Sequence, residues 1–168
     1  MDDLAERRSQ LVAGRTIAMD RLAVRERSRG ELFAALARRN IDEDVALVVV
    51  DQLQGDGFVD DERFARAWVE SRSRSKGLAR SVLRLELRTK QVAEETIDLV
   101  LAEVDPADEI QAAHRLVQRK LRSVQGLDQA VQVRRLCAML ARKGFGPQIA
   151  VEVVRVELAF AAEQIESI

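Results

Sequence analysis

The residues of this 168-residue chain that could carry covalent or metal chemistry are few and scattered. One His, His114, and one Cys, Cys137, cannot build a zinc site of the usual Cys/His type. A single Cys also excludes an intramolecular disulfide framework and fits a reducing compartment. Asp60 and Asp61 form an adjacent acidic pair that could suggest a metal or a nuclease. Neighbours on a helix point about 100° apart, and no Lys or His stands at a suitable spacing, so helix capping explains them better than a metal. Ser71, Ser73 and Ser75 have no His within reach by sequence. Cys137 lies beside Leu136 and Leu140 on an apolar helical stripe, where a thiol is core rather than nucleophile. His114, among Ala112, Ala113 and Leu116, reads as a surface or half-buried position. No Gly-x-x-x-x-Gly-Lys-Ser/Thr run offers a nucleotide loop. The residues therefore nominate no catalytic, cofactor or metal position, and an enzyme is not expected.

Charge is the chemistry that remains. The chain carries 27 Lys+Arg against 28 Asp+Glu, a formal net charge of −1. That balance excludes indiscriminate coating of nucleic acid. Along the chain, however, the signs are sorted. Asp42 to Glu62 holds eight acids and no base, and Glu94 to Glu109 holds seven acids and no base. Arg72 to Lys90 holds seven bases and one acid; Arg115 to Lys143 holds eight bases and one acid. Arg80, Arg84 and Arg88 fall on one helix face, and Arg115, Arg119 and Arg122 form a second stripe. Two readings compete. The bases pair with acids of neighbouring helices on solvated faces, or they meet phosphates or an acidic protein surface, for which the planar guanidinium fork is well suited. Base stacking is not expected. There is no Tyr, and Phe33, Phe64, Trp68 and Phe160 take apolar helix positions that read as core.

The elements that position these charges are all helical. Apolar residues recur at three and four: Leu32, Ala35 and Leu36; Val45, Val49 and Leu53; Val82, Leu83 and Leu87, with Leu85 at the edge; Leu136, Met139 and Leu140. Pro106 and Pro147 suit the first turn of new helices. Ser28 and Glu31 have capping-box spacing, Asp60, Asp61 and Glu62 open a helix, and Asp128 is placed to cap another. Helices are expected near 16–26, 28–40, 42–54, 60–75, 78–91, 93–104, 106–123, 128–143 and 147–163. No apolar run approaches the roughly 18 residues of a membrane span. The acidic start, Met1-Asp2-Asp3-Leu4-Ala5-Glu6, is unlike a signal peptide, so a cytoplasmic protein is expected.

One module recurs. Leu36–Ile41, Leu87–Val92 and Leu140–Phe145 align at offsets of 51 and 53 residues, each a Leu, basic residues, a turn residue and an apolar one. The expected fold is all-α, an elongated tandem array of three three-helix modules. Residues 1–15 are expected to be an N-terminal arm, helical over 1–12 but outside the repeat, followed by repeats over 16–59, 60–105 and 106–168. Gly144-Phe145-Gly146-Pro147-Gln148-Ile149-Ala150 also matches a helix-hairpin-helix turn that holds a DNA phosphate on backbone amides. A tight helix-to-helix turn needing positive φ is the plainer reading of the same glycines.

Several segments together resemble one known family. Leu22-x-x-Arg25-x-Arg27-Ser28-x-x-Glu31-Leu32, then Gly57-Phe58-Val59-Asp60-Asp61-Glu62-Arg63-Phe64-Ala65-x-x-Trp68-Val69, then Lys76-Gly77-x-x-Arg80 and Arg142-Lys143-Gly144-Phe145 are similar, in order and spacing, to the RecX family of RecA modulators. The match runs over about residues 16–158. Asn40 and Gln91 stand where the family often has glycine. The resemblance implies a non-enzymatic inhibitor, without cofactor and monomeric. Such a protein binds the RecA filament on single-stranded DNA and restrains ATP hydrolysis, strand exchange and co-protease activity, and so recombination, DNA repair and the SOS response. The residues expected to meet RecA or DNA are Arg25, Arg27, Arg72, Arg74, Lys76, Arg80, Arg84, Arg88, Arg119, Arg122, Arg142 and Lys143. The alternative is a direct DNA binder that competes with RecA through its basic helices and the Gly144–Ala150 turn.

Overall fold

The computed structural model describes residues 2–166, with side chains over 3–164. Among the described residues there are nine helices and no strand. They are α1 (Asp2–Val24), α2 (Arg29–Ala37), α3 (Glu43–Gly55), α4 (Asp61–Lys76), α5 (Arg80–Thr89), α6 (Glu94–Ala102), α7 (Pro106–Leu121), α8 (Gln129–Arg142) and α9 (Pro147–Glu166). The chain forms two compact units, Met1–Trp68 with Glu86–Val100, and Val69–Leu85 with Leu101–Ile168. The middle three helices are thus divided between the units rather than forming one of their own.

The expected signals start and stop these helices. Ser28 caps α2 with a full capping box: its hydroxyl accepts from the Glu31 amide, and the Glu31 carboxylate accepts from the Ser28 amide. Asp60 accepts from the Arg63 amide at 2.9 Å and opens α4. Pro106 takes the first turn of α7, behind Asp105, which accepts from the Ala107 amide. Asp128 precedes α8 but makes no side-chain cap bond.

The repeat is legible in the backbone. Asn40 and Gln91 both sit at φ 57°, and Gly144 sits at φ 94°. In each case the left-handed residue's amide bonds back three residues, to Ala37, Arg88 and Ala141. The next amide bonds back five, from Ile41 to Leu36, Val92 to Leu87, and Phe145 to Leu140. This is the two-bond stop that ends a helix on an αL residue, followed by an apolar contact. Asn40 and Gln91 therefore adopt the left-handed geometry that Gly144 takes at the third turn. All six apolar residues of the three turns are buried.

In the first unit α1, α2 and α3 close a core of Ala18, Leu32, Leu36, Ile41, Val45, Ala46, Val49, Val50, Leu53 and Val59. In the second, α7, α8 and α9 enclose Ala113, Leu116, Val117, Leu136, Leu140, Phe145, Ala150, Val153 and Val154. Burying a Leu or Val contributes about 1.5–3 kcal/mol each. The β-branched run Val48-Val49-Val50 lies within α3: burial of one helix face outweighs β propensity there.

Three expectations change. The helix expected over 16–26 begins at Asp2, so the described part of the arm, itself expected to be helical, is continuous with it in α1. Its polar residues bond α3: Gln10 exchanges two hydrogen bonds with Asp42, at 3.0 Å from its Nε2 and 2.9 Å to its Oε1, and Arg7 pairs with Asp44. Leu11 and the buried Gly14 add apolar contacts to the same core, but most of the segment's contacts to α3 are polar and leave little apolar periodicity to read. Phe160, expected in the core, is 58% exposed on α9; Phe64 is buried as expected. Finally, Asp61 does not cap its own helix. Its Oδ1 accepts from the Arg29 amide at 2.7 Å, at the start of α2. No described helix is long and apolar enough to cross a membrane.

Candidate functional site

The family-like segments of the first unit converge on one internal network. The Ser28 hydroxyl also donates to the Lys90 carbonyl. Lys90 Nζ reaches Glu31 at 3.2 Å and lies 4.9 Å from the Trp68 ring centroid, a cation–π distance. Trp68 Nε1 donates to Glu86 at 2.8 Å and its ring stacks on Phe64. Arg25 grips Glu31 with two guanidinium nitrogens at 2.8 and 3.1 Å. Burial works to raise the Glu31 carboxyl, but hydrogen bonds from Arg25 and Lys90 outweigh it and hold the group below the usual carboxylate range. These residues secure one stretch of the chain to another. They present little charge to a partner.

The α5 stripe is committed in the same way. Arg80 gives its backbone amide and its Nε to Glu109, at 3.0 and 2.8 Å, and Glu109 is only 11% exposed. Arg88 forms two bonds to Glu94. Lys143 Nζ donates to the Lys76 carbonyl at 3.0 Å. For this part of the chain the solvated-face reading, base against neighbouring acid, describes what the side chains do.

The turn at Gly144 is likewise used internally. The Ser81 hydroxyl donates to the Gly144 carbonyl at 2.6 Å, and the Ala79 amide donates to the Lys143 carbonyl at 2.9 Å. A Cβ on Gly144 would stand 2.5 Å from Ser81 Oγ and 2.7 Å from Val82 Cγ2. The glycine is required by this approach as well as by its φ.

Uncommitted charge lies on the second unit. Arg74 from the last turn of α4 joins Arg115, Gln118 and Arg119 of α7 around a cleft of about 460 Å³, with Ser73 and Gly77 on its wall. Arg115 and Arg119 are one helical turn apart and exposed, and among the described residues neither has a carboxylate within 4 Å. Arg119 Nε donates only to the Arg115 carbonyl. Arg74 pairs with Glu70 at 2.6 Å, but the two side chains are 79% and 61% exposed, so the pair is cheap to exchange for a partner's anion. A second cleft on the other side of α7, about 310 Å³, is lined by Lys120, Arg135 and Arg142. Arg122, expected to extend the Arg115–Arg119 stripe, instead lines an apolar groove with Leu121, Val124 and Leu158. Of the remaining expected contacts, Arg72 and Arg84 are half-buried with interactions inside the chain, Lys76 is exposed, and Arg27 lines a cleft of the first unit.

The groups capable of covalent or metal chemistry are dispersed. His114 Nδ1 lies 2.6 Å from Glu157, which also accepts from Gln118 at 3.0 Å. Burial pushes the Cys137 thiol up, against nucleophilic use. Among the described residues no group of three or more His, Cys, Asp or Glu is placed to hold a metal.

Comparison with known proteins agrees with this architecture. Residues 15–53, 60–101 and 107–154 match the first, second and third three-helix domains of RecX. The regulatory protein RecX of Streptomyces coelicolor is 41% identical over 159 residues, 95% of this chain and 85% of that one. The regulatory protein RecX of Mycolicibacterium smegmatis is 41% identical over 155 residues, 89% and 82% of the two chains. The crystal structure of RecX from Lactobacillus salivarius superposes with a TM-score of 0.81 at 17% identity, covering 89% of this chain and 97% of that one. A second crystal structure, of a regulatory protein RecX, gives 0.79 at 20% identity, covering 90% and 74%.

Proposed function

The chain belongs to the RecX family of regulatory proteins, and we propose that it is a negative regulator of RecA. In this reading it binds the RecA filament on single-stranded DNA as a cytoplasmic monomer, by occupancy rather than by chemistry. It restrains ATP hydrolysis, strand exchange and co-protease activity, and through them recombination, DNA repair and the SOS response.

The observation that carries the reading is the contrast between the two kinds of arginine. Arg25, Arg80 and Arg88 are neutralised by Glu31, Glu109 and Glu94. Arg115 and Arg119 have no such partner among the described residues and face an open cleft with Arg74. Charge left unpaired on a rigid helix is available to a complementary acidic surface, and it sets on-rate and register more than raw affinity. The twelve bases expected to meet the partner thus narrow to a core of Arg74 and Arg119, joined by Arg115.

The alternative, competition for DNA through the Gly144–Ala150 turn, loses support. The amides of Gly144, Phe145 and Ala150 already donate to the carbonyls of Ala141, Leu140 and Gly146, and Gly144 is packed against Ser81 and Val82. A phosphate-holding turn needs its backbone free to approach the ligand.

Co-sedimentation with RecA filaments on single-stranded DNA tests the proposal. The wild-type chain is expected in the pellet, and Arg115→Glu/Arg119→Glu in the supernatant with unchanged helicity. Undiminished pelleting of the double variant would overturn the assignment of the cleft.

A further inference from the structure

A different cluster of charge lies in the first unit, on residues the regulatory reading does not use. Arg21 in the last turn of α1, Arg27 before α2, and Arg38 at the C-cap of α2 surround one cleft of about 190 Å³, closed on another side by Thr89 and Gln91. Among the described residues none of the three guanidinium groups has a carboxylate within 4 Å; Arg27 Nε makes only a long 3.5 Å contact to the Arg21 carbonyl. Glu31 also lines the cleft, but its oxygens are taken by Arg25, Lys90 and the Ser28 amide. Arg27 is held below the usual guanidinium range by burial first and then by Arg25; Glu31 offsets part of this, and Arg21 adds a smaller repulsion. Like charges gathered around a concavity are unfavourable unless something anionic occupies it.

We propose that the Arg21–Arg27–Arg38 cleft is a binding site for a dianionic phosphate, free or as a terminal phosphomonoester. Three arguments select that ligand. The first is charge: a phosphomonoester carries about −1.5 to −2 at neutral pH and offers three acceptor oxygens, against three unpaired cations. A phosphodiester or a carboxylate carries only one charge. The second is geometry: one carboxylate is satisfied by one guanidinium fork, as Glu31 is by Arg25, whereas guanidinium groups from three separate segments suit a tetrahedral anion. The third is size: the cleft is smaller than the roughly 300 Å³ at which ordinary small-molecule pockets begin. It suits a compact group rather than a drug-sized ligand. The phosphate belongs either to the free ion or to the 5′ end of a nucleic-acid strand.

Fluorescence anisotropy of a short 3′-labelled oligothymidine, prepared with a 5′-phosphate or a 5′-hydroxyl, tests this on the full chain. The 5′-phosphorylated strand is expected to bind at least tenfold tighter, and Arg21→Gln/Arg38→Gln to abolish the difference. Arg134→Gln/Arg155→Gln, the same charge change on exposed residues of the second unit, is expected to preserve it. Arg27, half-buried ahead of α2, is left intact, and equal thermal midpoints verify that the variants fold. Displacement of the strand by millimolar inorganic phosphate supports the free ion as the natural source; a persistent 5′-phosphate preference without displacement supports the strand end. Equal binding of the two strands, a preference that survives Arg21→Gln/Arg38→Gln, or equally effective displacement by polyglutamate overturns the proposal.

Discussion

Gly30 lies so close to Gln91 that a β-carbon on it would overlap Gln91 Cβ and stand 2.7 Å from the Gln91 carbonyl oxygen. The first turn of α2 therefore rests directly on the left-handed turn that ends α5. Both partners belong to rigid features, a capped helix start and a two-bond helix stop, so neither yields readily. Gly30→Ala is expected to cost about 3 kcal/mol, the upper part of the range for overpacking. Denaturant unfolding gives the number, and a loss below about 1 kcal/mol would mean that the two turns separate easily.

Gly144 and Gly146 should respond in opposite ways. Gly144→Ala meets Ser81 Oγ and Val82 Cγ2 as well as a positive φ, whereas a Cβ on Gly146 meets nothing within 4 Å. Asn tolerates the left-handed region, as Asn40 does at the equivalent turn. Gly144→Asn should nevertheless destabilise about as much as Gly144→Ala, by roughly 2 kcal/mol, because contact rather than φ dominates. Gly146→Ala should lie within about 0.5 kcal/mol of wild type. Thermal unfolding of the three variants is the measurement.

Two carboxyls give stability opposite dependences on pH. Glu31 is held below its usual range in the folded chain despite its burial, so its contribution is present above the unfolded value and is lost as pH falls through the folded one. Asp61 is raised, by burial above all. Its contribution is full below its unfolded value and is lost as pH rises through the folded one. Glu31→Gln should accordingly flatten the acid limb of a melting-temperature profile. Asp61→Asn keeps an acceptor for the Arg29 amide and removes the buried charge, so it should hold or raise the melting temperature at neutral pH, whereas Asp61→Ala should lower it.

Charge reversal should separate structural from functional arginines. Arg80→Glu would set two carboxylates together at Glu109, which is 11% exposed, and should cost about 1–3 kcal/mol of stability. Arg115→Glu and Arg119→Glu break no ion pair among the described residues and should stay within about 0.5 kcal/mol of wild type. Chemical denaturation of the three variants checks both statements.

Local signals in the sequence account for much of this fold. Ser28 with Glu31, Pro106, and the aligned turns at Asn40, Gln91 and Gly144 each act within a few residues, so their outcome is fixed by local geometry. The contacts that escaped sequence reasoning are long-range. Nothing near Asp61 points to the Arg29 amide, and nothing near Ser28 points to the Lys90 carbonyl. The same holds for the candidate site. Periodicity placed Arg80 and Arg115 alike on helical faces, but a face does not name what lies opposite it. Glu109 lies opposite Arg80, and an open cleft lies opposite Arg115. Arg21 and Arg38 were missed because they share no stripe; α1 and α2 bring them together only by packing. Phe160 was placed in the core because its spacing fits an apolar face that α9 leaves exposed.

In the proposed function this chain restrains RecA by binding the filament. Its most direct test is titration of the protein into RecA's ATP hydrolysis with single-stranded DNA in excess. The expected result is inhibition at far below one chain per RecA, unrelieved by further DNA and absent in Arg115→Glu/Arg119→Glu. No inhibition at equimolar protein, or relief in proportion to added DNA, would contradict it.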